Sequence, residues 1–396
     1  MAGQDAPMAG LDADELIDEA RLATGLSDLG APTFRDGLER LVDGLRTEAA
    51  LNDAGRVVAP GVLGRYLANR LQIIDWHTRH PAVGAADVTP PVVMIGMGRP
   101  GTTILFDLLG QDPATRVPRT WEVDHPVPPP ETATYETDRR IAEAQAGIDM
   151  LMEHQPGFMA MHPLGATLGQ ECISMMGCEF ASLIFVSQFR LPGYQRWLTE
   201  EADLAPAYGF HRRFVQVLQS RHRGERWVLK SGAHLWWLPA LAAEYPDAVY
   251  IQTHRDPVRV LPSLSTLFAT VHGTLSDDVS LPAVASDWSG SVLDALDLAV
   301  TAREDGTIPA DRVIDVDYRG FMADPIGTVR GIYRRFGWSL TESAEQRMRA
   351  FLAANPADKH GVYRYSLSAC GLDEGEIRER SKRYCDYFEV TDEPAP

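Results

Sequence analysis

The sequence predicts an α/β protein: a central parallel sheet flanked by helices, behind an N-terminal helical segment. Three observations predict it. From about Pro91 onward, short apolar runs alternate with stretches of helical spacing, the grammar of strand–helix–strand units. Before that point the apolar residues recur only at helical spacing. Finally, 396 residues with 45% hydrophobic and 23% charged side chains can bury a large core.

Residues 1 to about 12 read as untethered. Leu16, Ala20, Leu22 and Leu26 fit one helical face. Leu38, Leu41, Val42 and Leu45 fit a second, and Leu63, Tyr66, Leu67, Leu71 and Ile74 a third. A loop rich in Pro and Ala follows, so residues 1–88 are expected to form the helical segment and 89–396 the α/β domain. There Val92–Ile95 reads as a buried parallel strand, and helical spacing resumes at Thr103 and stops at Gly110 and Pro113. Ile141–Arg213 reads as mostly helical, an insertion over about residues 140–215 that holds six of the twelve Met residues between Met150 and Met176. Trp227–Leu229, Ala248–Gln252 and Val313–Val316 are further strands. Leu235–Ala243 is a helix, and Asp256-Pro257 and Asp324-Pro325 each read as a cap followed by the first helical residue.

The charge balance is acidic, 37 Lys+Arg against 55 Asp+Glu, for a net −18. That disfavours coating nucleic acid or an anionic membrane, both of which need a basic face. The four Cys form no C-x-x-C pair or zinc spacing, no leader-like N-terminus is present, and no eighteen-residue apolar run occurs. A soluble, cytoplasmic protein without an integral membrane segment is expected, with homo-oligomerisation left open.

Two constellations carry chemistry. Gly96-Met97-Gly98-Arg99-Pro100-Gly101-Thr102-Thr103 follows the first strand and opens a helix. Such a turn offers backbone N–H groups and the positive helix end to a phosphate. It departs from G-x-x-x-x-G-K-[ST] because Thr102 stands where Lys is expected, which weakens a kinase or other P-loop phosphotransferase reading. Arg99 supplies a cation instead. Downstream, Arg255 ends a strand and Ser263 follows eight residues later in the next helix, where a second, separate phosphate could be gripped.

Taken together, these motifs resemble the sulfotransferases. The resemblance rests on Gly98-Arg99-Pro100-Gly101-Thr102-Thr103, on Arg255 with Ser263, and on Leu229-Lys230-Ser231-Gly232-Ala233-His234-Leu235 between them. Tyr363-Arg364-Tyr365-Ser366-Leu367 and Arg383-Tyr384-Cys385-Asp386-Tyr387-Phe388 are similar to elements of the bacterial branch, and the likeness spans about Pro91 to Val390. It implies a P-loop-like fold and 3′-phosphoadenosine 5′-phosphosulfate as co-substrate, with no metal. Arg99, Pro100, Gly101, Thr102 and Thr103 would hold its 5′-phosphosulfate, and Arg255 and Ser263 its 3′-phosphate. Pro100 and Gly232 depart from the family pattern without removing a charge.

Sulfuryl transfer needs charge stabilisation at the transferred group, for which Arg99 and Lys230 are the expected residues; Lys230 is one of only three Lys in the chain. A hydroxyl acceptor also needs a base. Glu122, in Arg119-Thr120-Trp121-Glu122, is preferred over His234, with His125 and His162 behind them. The acidic balance and the Met- and aromatic-rich middle segment favour an apolar small-molecule, lipid or glycolipid hydroxyl as acceptor, bound on the helical insertion's side. A non-catalytic nucleotide-binding protein of the same fold is the remaining alternative.

Overall fold

The computed structural model describes residues 11–98, 101–154, 163–356 and 365–393. They fall into two compact units. The first combines the described residues up to Ala86 with Ile173–Val217 and Phe268–Ser280; the second holds Asp87–Cys172, Leu218–Leu267 and the chain from Leu281 onward. The expected boundary at residue 88 lies beside the first passage between units. Much of the helical insertion, however, belongs with the N-terminal helices.

In the first unit the expected helices form as Ala13–Thr24, Phe34–Thr47 and Asp53–Arg79, but Leu22, expected on the first buried face, is exposed, and Leu26 lies beyond that helix. Asp12 and Asn52 start the first and third by accepting from the Asp14 and Gly55 amides at 2.9 and 2.8 Å. Leu16, Leu38, Leu41, Leu63, Leu67 and Leu71 are buried, each contributing roughly 1.5–3 kcal/mol of burial. Inside lies an ion pair, Arg70 with Glu179. Arg70 also donates to the carbonyls of Leu29, Ala31 and Cys178 at 2.8, 2.8 and 3.2 Å, and lies between the rings of Phe34 and Phe210.

The second unit holds the sheet: β1 (Pro91–Ile95), β2 (Thr115–Arg116), β3 (Arg226–Lys230), β4 (Val249–His254) and β5 (Val313–Asp317). All pairings are parallel, in the order β2-β3-β1-β4-β5. β1 is central, with Met94 opposite both Lys230 and Ile251. Every residue of β1 is buried, which explains its unbroken apolar run. Val92, Met94, Leu105, Phe106, Val228, Ile251 and Val329 share one core beneath it. The caps at Asp256 and Asp324 are present, accepting from Val258 and Gly327 amides at 2.9 Å, and open the helices Pro257–Leu275 and Pro325–Arg335. Three details differ from the sequence reading. β2 has only two residues, too few for a period. The expected helix after β3 begins as a 3-10 turn, Gly232–Trp237, before Leu238–Glu244. The helix after β4 continues to Leu275, beyond the expected Leu267. Among the described residues, no helix is long and apolar enough to cross a membrane.

Candidate active site

In an open parallel sheet, side chains that leave the carboxyl ends of the strands face a ligand crevice. Here β1 ends in the glycine-rich turn, β3 in Lys230, and β4 in His254 followed by Arg255. Gly96 has a φ of +121°, and a Cβ there would stand 2.4 Å from the Thr253 carbonyl, so only glycine lets β1 and β4 approach this closely. Gly101, at φ +75°, caps the helix Thr102–Leu109 in the left-handed region, and its carbonyl accepts from Leu105. The amides of that helix's first turn have no helical acceptor, so they are free to meet an anion. Arg99 and Pro100, both expected in the donor site, lie outside the described residues.

Lys230 joins β3 to this turn. Its Nζ donates to Thr103 Oγ1 at 3.2 Å and sits 5.2 Å from the Phe106 ring centroid. Beside it is a residue the sequence reading missed. Glu171 Oε1 is 3.0 Å from Lys230 Nζ, and Glu171 Oε2 accepts from Ser231 Oγ at 3.3 Å. The Ser231 amide donates to Met94 O at 3.3 Å, tying the segment to β1. Asp107, one turn into the loop's helix, feels the same cation. Burial pushes its carboxyl up to about 6, against the opposing pull of Lys230 and the Gly169 amide.

Arg255 lies across the site. Its guanidinium stacks on the Tyr318 ring at 4.0 Å, and a Cβ on Gly101 would stand 3.3 Å from that same ring. Tyr318 therefore links the two expected phosphate positions. Arg255 Nε and Nη2 donate to the two carboxylate oxygens of Glu393, at 2.8 and 3.0 Å. Ser263 is buried two turns into the helix Pro257–Leu275. The Arg383–Phe388 element supports β4 from the helix Glu374–Phe388: Tyr384 OH lies 2.8 Å from His254 Nδ1, and Phe388 stacks on the imidazole at 4.3 Å. Tyr363 and Arg364 lie outside the described residues.

The two expected bases are placed differently. Glu122 is fully buried in the short helix Thr120–Asp124. One oxygen accepts from Arg116 Nη2 at 2.6 Å; the other accepts from the Arg119 amide at 2.9 Å and from Tyr135 OH at 3.4 Å. These bonds join β2 to that helix, a task the motif spacing did not reveal. His234 is buried in the 3-10 turn that follows Lys230, with its amide donating to Ser231 O at 3.4 Å. His125 caps the Glu122 helix, and its carbonyl accepts from Arg140; His162 lies outside the described residues.

The model of the sulfotransferase family matches residues 90–342, more than half of the chain. The omega-hydroxy-beta-dihydromenaquinone-9 sulfotransferase Stf3 of Mycobacterium bovis and of Mycobacterium tuberculosis is 23% identical over 313 residues, 77% of this chain and 77% of that protein. The crystal structure of sulfotransferase STF9 from Mycobacterium avium is 30% identical and superimposes with a TM-score of 0.89, covering 96% of this chain and 97% of that one. Sulfotransferase STF1 from Mycobacterium tuberculosis is likewise 30% identical, with a TM-score of 0.82 over 93% of this chain and 98% of that one. A family model matched over this length, on a parallel sheet whose central strand ends in a glycine-rich turn, makes the chain a member of the sulfotransferase family and a sulfotransferase enzyme.

Proposed function

We propose that the enzyme transfers a sulfuryl group from 3′-phosphoadenosine 5′-phosphosulfate to the hydroxyl of an apolar acceptor. The observation that carries this reading is the convergence of Lys230 on Thr103 at the glycine turn, with Arg255 set apart across Tyr318. Two cationic positions separated by an aromatic ring suit a donor with separate 5′ and 3′ anionic groups. Gly101, Thr102 and Thr103, with Arg99 and Pro100 of the same turn, take the phosphosulfate; Arg255 and Ser263 take the 3′-phosphate.

In the transfer, the acceptor oxygen forms a bond to sulfur as the bond from sulfur to the bridging phosphate oxygen breaks. The bisphosphate leaves with the electron pair. Lys230 and Arg99 stabilise the charge on the leaving and equatorial oxygens, and positioning supplies much of the rest. The acceptor's proton goes to His234. Motif spacing favours Glu122, but its oxygens are engaged by Arg116, the Arg119 amide and Tyr135. His234 lies on the segment that carries Lys230 to the turn.

The two Stf3 relatives are named for omega-hydroxy-beta-dihydromenaquinone-9, a hydroxylated acceptor. The same class suits this chain, whose net charge of −18 repels polyanionic acceptors. A lipid or other apolar alcohol is the expected acceptor. Transfer of labelled sulfate to long-chain alcohols and not to sulfated glycans is the corresponding result.

Calorimetric titration with adenosine 3′,5′-bisphosphate, with ATP as control and no metal added, tests the donor site without knowledge of the acceptor. Tight bisphosphate binding with weak ATP binding is expected. No bisphosphate binding, or ATP binding that requires magnesium, would return the site to the phosphotransferase reading.

A further inference from the structure

The carboxylate on Arg255 comes from the end of the chain. After the helix Glu374–Phe388, the segment Thr391–Glu393 runs back along the site. Glu393 fills the guanidinium fork with both oxygens, and the pair is largely buried, at 16% and 12% exposure. The Glu393 amide donates at 2.9 Å to Asp256 Oδ2, on the carboxylate that also caps the helix after β4. Asp392 pairs with Arg378 at 2.6 Å, and Thr391 Oγ1 accepts from Arg319 Nη1 at 3.3 Å.

These contacts differ in kind. Asp392 is 77% exposed, and the Asp392 and Thr391 clips are surface contacts, which hold weakly. The Arg255–Glu393 contact is bidentate. That is the geometry in which an arginine takes two oxygens of a phosphate. One fork cannot serve a carboxylate and a phosphate at once.

We propose that Thr391–Glu393 is an internal competitor for the donor: Glu393 takes the place of the 3′-phosphate on Arg255, and donor binding requires the segment to leave. This rests on the assignment of Arg255 to the 3′-phosphate made above. The segment then acts as a strap whose closed population lowers apparent donor affinity in proportion to the open fraction. The opposite arrangement, in which Glu393 holds Arg255 ready for the donor, uses the same contacts and predicts the opposite sign.

Calorimetry with adenosine 3′,5′-bisphosphate separates these cases. Glu393→Gln should bind the bisphosphate about tenfold more tightly than the wild type, the scale of a charged hydrogen bond of about 1.4 kcal/mol. Hydrogen exchange supplies the second readout: bisphosphate should accelerate exchange of the Glu393 amide in the wild type, as its bond to Asp256 opens. Unchanged or weaker binding by Glu393→Gln, or increased protection of that amide, would overturn the strap. Arg255→Ala guards the underlying reading. If it binds the bisphosphate as well as the wild type does, the 3′-phosphate assignment falls and the strap with it. If Arg255→Ala loses affinity while Glu393→Gln gains none, only the strap falls.

Discussion

Two buried or half-buried arginine–glutamate pairs, one in each unit, serve different ends. Arg70 in the first unit is largely saturated by interior groups: three backbone carbonyls, the Glu179 carboxylate, and the rings of Phe34 and Phe210. Arg255 in the second unit gives its Nε and Nη2 to Glu393, a side chain on a terminal segment, with the Tyr318 ring against the guanidinium. Lys230 also faces a side-chain carboxylate, Glu171 with 25% exposure, beside its bond to Thr103. A cation tied to fixed backbone acceptors can only build. A cation tied to an exchangeable carboxylate can pass to a ligand, because one anion replaces another at little net cost.

The largest expected effect tests the saturated pair. Arg70→Ala leaves Glu179 in the interior without its cation, and should cost about 3–5 kcal/mol of stability. Its melting temperature should fall by many degrees, whereas Lys230→Ala and Arg255→Ala should melt near the wild type. Equal losses in all three would erase the distinction between building and binding cations.

The next effect sharpens it within the second unit. Lys230→Ala should lower turnover about 10²–10³-fold, the scale of one lost charge-stabilising donor, without a matching loss of bisphosphate affinity. His234→Ala should also lose turnover with that affinity kept. Glu122→Gln should lose stability instead, because it breaks the bond from Arg116. Lost turnover in Glu122→Gln at an unchanged melting temperature would move the base to Glu122.

A smaller effect depends on acidity. In the first unit, burial lowers His211 to about 3 and His272 to about 4, from an ordinary 6.5. Their neutral native forms contribute stability that is present above pH 6.5 and is lost as the pH falls toward 4, where the unfolded chain takes up protons that the native chain refuses. Asp107 in the second unit has the opposite sign. With its carboxyl raised from 3.8 to about 6, its contribution is present below pH 3.8 and is lost as the pH rises through 6. The fall in melting temperature from pH 7.5 to 5 should therefore be shallower in His272→Gln, whose amide can still donate to the Val186 carbonyl. An unchanged slope would remove His272 from this account.

How much of this was legible beforehand follows from distance along the chain. The sequence by itself determined the strands β1, β3, β4 and β5, because strands buried in a parallel sheet must be apolar along short runs. It also determined the two cap-plus-proline helix starts, and the order Thr103, Lys230, Arg255, Ser263, because each of those signals is local. β2 was invisible because two residues carry no period. Only the tertiary structure decided what meets what. Glu393 reaches Arg255 from 138 residues away, Glu171 reaches Lys230 from another element, and Tyr318 bridges Gly101 and Arg255 from the end of β5. The same holds for Glu122, which the motif spacing offers as a base and which the fold sets against Arg116 of β2. A carboxylate's role is set by the charge it faces. That charge is chosen by the packing of distant segments, which no local spacing encodes.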